Sequence, residues 1–566
     1  MRSIFGCINH QTCSLSSGSI WEKEGENIFF VSNNKFEDDK VVYQSDEYLL
    51  LLDGVIFNKK ELLLNSTVNK TWTSYFFESW MKDSKKAIQN LRGEFSGLFY
   101  NKKNKRLELF NNPTGTKQFY YYHKNDVFAF ASSAIDLVTL LKSIGETVEI
   151  NPNACYSFMG YGALLNNQSW VKYSTKLEVG SMLYLENNTI ETSNYKRFSI
   201  QQDYSKTKSE LLKEFDQLMV QAVRREWSKD KEYGYKMFST LSGGLDSRVN
   251  VMLARELGFV DQVNFCCSKK DYADETISRK MAKDFGHHYH FYALDGLEHF
   301  YKPEYILEKL GGHSSYLGPA HLRVGIDEFW NKNYGIIHSG QMGDGFLGGF
   351  LSDKITKEPN VGFGRESYEA FPKNIAFDNA LQEKYSSEEA FKIYERGFGI
   401  ANSGFWVLED LSYYSSPFMD VDVLDFLAKL PYQYKYKRTF YLEWMIKFHP
   451  EMTKYKWEYV HSKPNAVWKT KYATTFMRLK YGWLKLLSPK FRQGFDMTPE
   501  QFWFEGSSKL RNFYENEIEK QLAYPNIKDV PYFQEIKQFA LSNSVNKKSK
   551  ALTLLIILNK ILNNGD

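Results

Sequence analysis

Ser242-Gly243-Gly244-Leu245-Asp246-Ser247 is the stretch from which the rest of the chain is read. Immediately upstream, Tyr235-Lys236-Met237-Phe238-Ser239-Thr240-Leu241 is mostly large and apolar and reads as a buried strand. Downstream, Val249, Met252, Leu253 and Leu257 fall at helical spacing, so the six residues form the turn between strand and helix. Two glycines permit a sharp turn and a close approach of backbone to a ligand. Ser242, Ser247 and the free N–H groups of the helix start then face outward as donors for an anion. The loop lacks the lysine that closes a G-x-x-x-x-G-K-S/T phosphate loop. It carries Asp246 instead, and a carboxylate there repels phosphate unless a divalent cation lies between them.

Outward from the loop, strands and helices alternate. An amphipathic helix is predicted from Lys206 to Trp227, strands over Gln262–Cys267 and His288–Ala293, and a helix over Asp274–Phe285. This is the pattern of a mostly parallel sheet with covering helices, in which ligands lie beyond the C-terminal ends of the strands. Tyr334 to Ser339 is a further strand, ending in Gly340-Gln341-Met342-Gly343-Asp344-Gly345-Phe346-Leu347-Gly348-Gly349. Glycines crowded around a single acid suggest backbone packed against a ligand. Asp274-Glu275 opens a helix, where acids suit the dipole as well as a ligand. His287, His288 and His290 flank a strand without an acid or cysteine at metal-ligand spacing.

Up to about residue 200 the chain has a different texture. Short aromatic and β-branched runs (Asn27–Val31, Tyr48–Leu52, Phe95–Tyr100, Phe128–Ala131) are separated by Asn, Gly and Lys, with helical patterns only near Thr73–Lys82 and Ala134–Ser143. Stacked sheets are expected.

Composition sets the outer limits. The chain has 566 residues, enough for two or three sizeable cores, and a net charge of +4 that demands neither nucleic acid nor an anionic membrane. Cys7, Cys13, Cys155, Cys266 and Cys267 are odd in number and lack metal spacing, as befits reduced thiols of a cytoplasmic protein. The start has no long apolar region of a secretion signal, and the longest apolar run, near Leu552–Leu558, is too short for a bilayer.

The six-residue loop resembles the PP-loop of ATP pyrophosphatases, which split ATP into AMP and pyrophosphate. The phrases around it are similar, with gaps along most of the chain, to the asparagine synthetase family. Asp53-Gly54-Val55-Ile56-Phe57-Asn58 followed by Glu61-Leu62 resembles that family's Asn-Gly-Glu-Ile-Tyr-Asn…Glu-Leu. Leu91-Arg92-Gly93-Glu94-Phe95, Asn112-Pro113-Thr114-Gly115-Thr116-Lys117 and Phe130-Ala131-Ser132-Ser133 resemble three more of its phrases, and Ser416-Pro417-Phe418-Met419-Asp420 a fourth. The resemblance implies a class II glutamine amidotransferase-like domain over 1–200, a two-sheet sandwich of Ntn-hydrolase type. It implies an α/β PP-loop synthetase domain with a mostly parallel sheet over 201–566. Carried over, Ser242, Gly243, Gly244, Leu245, Asp246, Ser247, Ser268, Gly340 and Gln341 bind ATP. Asp246 and Asp344 hold Mg²⁺ on the pyrophosphate, two carboxylates being a sensible site for a hard cation. Lys463 is the nearest match to a lysine that stabilises charge in transfer.

Departures from the family pattern concentrate in the amidotransferase pocket. Arg2 stands where the nucleophilic cysteine belongs, and a permanently protonated guanidinium cannot attack glutamine. Asp53 replaces the oxyanion-hole asparagine, Val55 the adjacent glutamate, and Thr71-Trp72-Thr73-Ser74 the phrase Ser-Asp-x-Glu. Cys7 reads as a packed strand residue. The glutaminase is therefore expected to be dead. The resemblance implies an amide-forming ligase that adenylates a small-molecule carboxylate, aspartate first, with ammonia or another amine as acceptor, and it allows a homodimer. Gln341 in place of the family's glutamate leaves β-lactam-type or peptide cyclisation and sugar-acid amidation open. A non-catalytic descendant stays open too. The basic-aromatic tract Lys454–Arg492 reads as a solvated helical layer or an anion-facing surface.

Overall fold

A computed structural model describes residues 3–8, 19–23, 26–64, 70–351, 374–385, 387–466 and 496–563. Arg2, Cys13 and most of the tract beyond Ala466 lie outside them.

The N-terminal strands are β1 (Ser3–Ile8), β2 (Ser19–Lys23), β3 (Glu26–Val31), β4 (Val41–Gln44), β5 (Tyr48–Ile56), β6 (Gly93–Asn101), β7 (Arg106–Asn111), β8 (Tyr120–Lys124), β9 (Val127–Ala131), β10 (Ser174–Lys176), β11 (Ser181–Glu186) and β12 (Thr189–Asn194). They form two six-stranded antiparallel sheets, in the orders β10-β8-β9-β1-β3-β2 and β12-β11-β7-β6-β5-β4. Residue parity explains the layering. Successive side chains of a strand point to opposite faces. Leu49 and Leu51 of β5 meet Ile4, Ile28 and Phe130 of the facing sheet, while Leu50 and Leu52 point outward to Trp72, Phe76 and Trp80 of the helix Trp72–Lys82. In β1, Ile4 and Ile8 face the sandwich interior and Phe5 and Cys7 the opposite core. Both faces are buried, which is why these strands read as unbroken apolar runs.

The C-terminal part is built on a wholly parallel sheet ordered β15-β14-β13-β16-β17. Its strands are β13 (Lys236–Thr240), β14 (Gln262–Ser268), β15 (His288–Ala293), β16 (Tyr334–His338) and β17 (Tyr414–Ser415). Parallel neighbours need crossovers, and helices supply them. The helix Lys208–Tyr233 starts with a capping box between Thr207 and Glu210 and buries Leu211, Leu212, Phe215, Met219, Ala222, Val223 and Trp227 at helical spacing. Met237 joins its cluster on one face, Phe238 the cluster on the other. The order runs outward from β13 in both directions, so the loops after β13 and β16 share one edge. Among the described residues, no helix is long and apolar enough to cross a membrane.

Candidate active site

The loop after β13 is held from within. Ser242 N–H donates to Ser247 Oγ (3.0 Å), the two hydroxyls lie 3.0 Å apart, and Gly244 N–H donates to Ser242 Oγ (3.1 Å). From behind, Gly243 N–H donates to Asp274 Oδ1 at 2.7 Å, so the acid at the helix start braces the loop. Fully buried Arg248 reaches the carbonyls of Gly243 (3.1 Å), Met452 (3.1 Å) and Tyr455 (3.2 Å), and that of Lys456. The loop after β16 crosses it closely. A Cβ on Gly340 would lie 2.2 Å from the Asp246 carbonyl carbon and the Ser247 nitrogen, so only glycine permits the approach.

That approach brings the two aspartates together. Asp344 N–H donates to Asp246 Oδ2 at 2.5 Å, and Tyr441 Oη donates to Asp246 Oδ1 at 3.1 Å. Burial, and then the charge of Asp344, pushes the Asp246 carboxyl above the usual carboxylate range. Arg438 neutralises the other acid, with Nη2 on Asp344 Oδ2 at 2.7 Å and Nε on Oδ1. Around them opens a cleft of about 390 Å³, walled by the loop, Gly340, Gln341, Phe405, Arg438 and Trp457-Glu458-Tyr459. Glu458 is raised to about 7 by burial, with Asp274 and Asp344 adding to the shift. Two mutually repelling carboxylates fit a cation such as Mg²⁺, which takes one or two carboxylates and completes its shell with phosphate and water. Among the described residues no three His, Cys, Asp or Glu side chains converge as a metal cage, so the fit is to a metal that arrives with phosphate.

Of the residues read from sequence, Ser242, Gly244, Leu245, Asp246, Ser247, Gly340, Gln341 and Asp344 line this cleft. Gly243 sits behind it, against Glu458. Ser268 is fully buried, its hydroxyl donating to the Lys269 carbonyl at 2.9 Å, and lies outside the lining. Lys463 is exposed and does not line the cleft, although Trp457 to Tyr459 just before it do. Gln341 Nε2 is spent on the Ala401 carbonyl at 2.7 Å. Arg438, Glu458 and Tyr441 join the site without any motif in the sequence to mark them. His287 and His290 are packed, one on Asn264 Oδ1 at 2.9 Å and one stacked on Phe329.

The second pocket of interest surrounds Asp53, which is almost fully buried. Ser32 and Tyr413 hydroxyls donate to its Oδ1, each at 2.9 Å, and Lys117 Nζ reaches Oδ2 at 3.1 Å and Glu409 Oε1 at 2.5 Å. Burial opposes the charge of Asp53, but Lys117, Lys40 and these hydrogen bonds outweigh it and hold the carboxyl below its usual range. Asp53 is thus an ionised, saturated acid where the resemblance expects an amide facing a substrate. Cys7 is buried in mid-strand, paired with Asn27 and Ala129. Trp72 donates to the Asp39 carbonyl at 2.8 Å and packs in the core. Beside Lys117, Glu94 accepts from Asn112 Nδ2 (2.9 Å) and from Thr116, and burial raises it to about 8. A carboxyl whose folded value lies above its unfolded one stabilises fully below the unfolded value, about 4.5, and loses that contribution as pH rises through about 8. Glu94→Gln should therefore flatten the fall in melting temperature between about pH 5 and about pH 9. An unchanged slope in thermal scans would remove Glu94 as its cause.

Comparison with known proteins adds three likenesses. Residues 35–196 match a glutamine amidotransferase domain. The putative glutamine-hydrolysing asparagine synthetase 2 of Methanocaldococcus jannaschii is 26% identical over 332 residues, 56% of this chain and 62% of that protein. The glutamine-hydrolysing asparagine synthetase 1 of Bacillus subtilis is 26% identical over 226 residues, 38% of this chain and 34% of that protein. The alignments thus span less than two thirds of either relative. Among solved structures, the allosteric regulatory enzyme of purine biosynthesis matches 51% of this chain and 74% of its own, with 10% identity and a TM-score of 0.24, too low to carry an argument. Over part of its length the chain is thus similar to two asparagine synthetases, and over residues 35–196 to a glutamine amidotransferase domain.

Proposed function

We propose that this relative of the asparagine synthetases is an ATP-dependent, amide-forming ligase that uses ammonia or another amine and does not hydrolyse glutamine. The observation carrying the reading is the convergence of a serine- and glycine-rich strand-to-helix loop with Asp246 and Asp344 in one cleft. In the reaction, a substrate carboxylate oxygen attacks the α-phosphorus of ATP and the bond to the bridging oxygen breaks, releasing pyrophosphate. The amine nitrogen then attacks the activated acyl carbon, AMP leaves, and the nitrogen gives up a proton.

Each residue's share follows from its position. The Ser242 to Ser247 loop presents hydroxyls and N–H groups to phosphate oxygens. Asp246 and Asp344 would hold Mg²⁺, which when bound neutralises charge on the leaving pyrophosphate. Glu458, with its raised value, stands on the cleft wall as acceptor of the amine's proton, a task the uncharged Gln341 cannot perform. Aspartate is the first carboxylate to try, because the relatives are named for asparagine.

Two features support the loss of glutamine hydrolysis. The sequence places Arg2 at the nucleophile's position, and Asp53 is occupied by Lys117 and Tyr413. The test is pyrophosphate release from ATP with aspartate, comparing ammonium with glutamine. Release with ammonium alone is expected, without glutamate formation. Glutamate appearing at a rate matching pyrophosphate would overturn the dead-glutaminase reading. Absence of release with aspartate, other carboxylates or a sugar acid would overturn the ligase.

A further inference from the structure

The cleft poses a charge problem. It holds Asp246, Asp344 and Glu458, yet it is to take a polyphosphate, and Arg438 is the one cationic side chain among the described residues that line it. From the same ion pair with Asp344 we infer that Arg438 is the phosphate-contacting cation of this site, and that Asp344 holds it in reserve until the nucleotide arrives. This rests on the ATP-cleft reading above.

The geometry is built to deliver that one side chain. Arg438 and its neighbour Lys437 both take left-handed backbone conformations, at φ 60° and 55°. Consecutive non-glycine residues there are strained, and such strain persists only where the surroundings over-determine it. The clamp is visible. Gly348, at φ 123°, lies so close that a Cβ would meet the Lys435 carbonyl oxygen at 2.1 Å and the Arg438 nitrogen at 3.3 Å. Gly348 belongs to the glycine-rich turn that also carries Asp344, so turn and strained segment are locked together. The guanidinium leans toward the rings of Trp457 (5.8 Å) and Tyr459 (5.5 Å), which line the same cleft.

The chemistry of the pair implies an exchange. A guanidinium fork suits carboxylate and phosphate alike. While it covers both oxygens of Asp344, that acid is a poor metal ligand. When a metal–nucleotide enters, Asp344 turns to the cation and the freed fork turns to the phosphates. Arg438 should therefore act in opposite directions, hindering bare metal binding and favouring polyphosphate.

The decisive variant is Arg438→Gln in the full chain, with Arg438→Lys as partial rescue and exposed Lys437→Ala as a control on the same strained turn. Mn²⁺ alone, followed by electron paramagnetic resonance, should bind Arg438→Gln at least about threefold more tightly than wild type, because Asp344 is freed. Pyrophosphate release from ATP should fall at least about tenfold in Arg438→Gln and recover in part in Arg438→Lys. Simple misfolding would weaken both readouts and cannot tighten Mn²⁺ binding. Unchanged or weaker Mn²⁺ binding by a folded Arg438→Gln protein would overturn the exchange. Pyrophosphate release within about twofold of wild type would overturn the phosphate contact. A wild type that releases no pyrophosphate counts against the ligase reading, while the Mn²⁺ arm still decides the pairing.

Discussion

Asp246→Asn should abolish measurable chemistry, with pyrophosphate release falling by about 10²–10³-fold or more, the scale of losing one preorganised charge-stabilising group. Both carboxylate oxygens accept hydrogen bonds, one from Tyr441 Oη and one from the Asp344 N–H. Asparagine has a single acceptor oxygen, so its amide must turn N–H groups toward one of two donors. The charge that would share a cation with Asp344 is also gone. Stability should move the other way. Burial and the Asp344 charge penalise the ionised form of Asp246, so a neutral side chain removes a repulsion that the folded chain carries at neutral pH. A melting temperature equal to or above wild type, combined with lost activity, is the expected pair of results. Wild-type pyrophosphate release would sink the two-carboxylate mechanism outright.

Arg248→Met should destabilise the chain by about 3–5 kcal/mol, the range for removing one partner of a buried charged network. Its guanidinium is fully buried and satisfies four main-chain carbonyls, tying Gly243 of the loop to residues 452–456. Methionine fills much of the volume but takes the guanidinium from the carbonyls of Met452, Tyr455 and Lys456 and leaves that of Gly243 with Glu458 N–H alone, a buried acceptor without a partner costing about 1–3 kcal/mol before relaxation or water entry. The loss should appear as a lower urea midpoint and as weaker nucleotide binding, since Glu458 N–H bonds the Gly243 carbonyl at 3.2 Å and would shift with it. A loss below about 1 kcal/mol would mean that the carbonyls find water, and that the network is not what holds the loop.

The sequence is informative here where chemistry is local. β5 and β9 announce themselves as apolar runs because both faces of their sheets are covered. The helix Ala134–Ser143 is bounded in sequence by Ser133, whose side chain caps it. The loop after β13 is legible because glycine, serine and aspartate have few other reasons to stand together between a strand and a helix. Arg438, Arg248, Tyr441 and Glu458 are illegible for the opposite reason. Each takes its meaning from a distant stretch of chain: Arg438 from Asp344, Tyr441 from Asp246, Arg248 from residues 452–456 and Glu458 from Gly243. Lys463 is exposed and outside the cleft lining, and the spelling of Trp457 to Pro464 carries no information on which way its side chain faces. Asp274 at a helix start suits the dipole and a ligand alike in sequence, and the Gly243 contact decides that it braces the loop.

The bonds around Asp53 bear on what this chain could lose. Tyr413, which donates to Asp53, immediately precedes β17, where the Ser415 carbonyl accepts from Ser339 N–H at 2.9 Å and the Ser416 hydroxyl donates to the Gln341 carbonyl at 2.7 Å. One short run of residues therefore rests on the N-terminal half and seats the floor of the candidate cleft. A descendant that discarded residues 1–200 as an idle relic would strip Tyr413 and Glu409 of their partners at the point where that floor is anchored. The N-terminal half is then a support for its neighbour. Deleting it would remove the scaffolding under the cleft, independent of any chemistry in the N-terminal half.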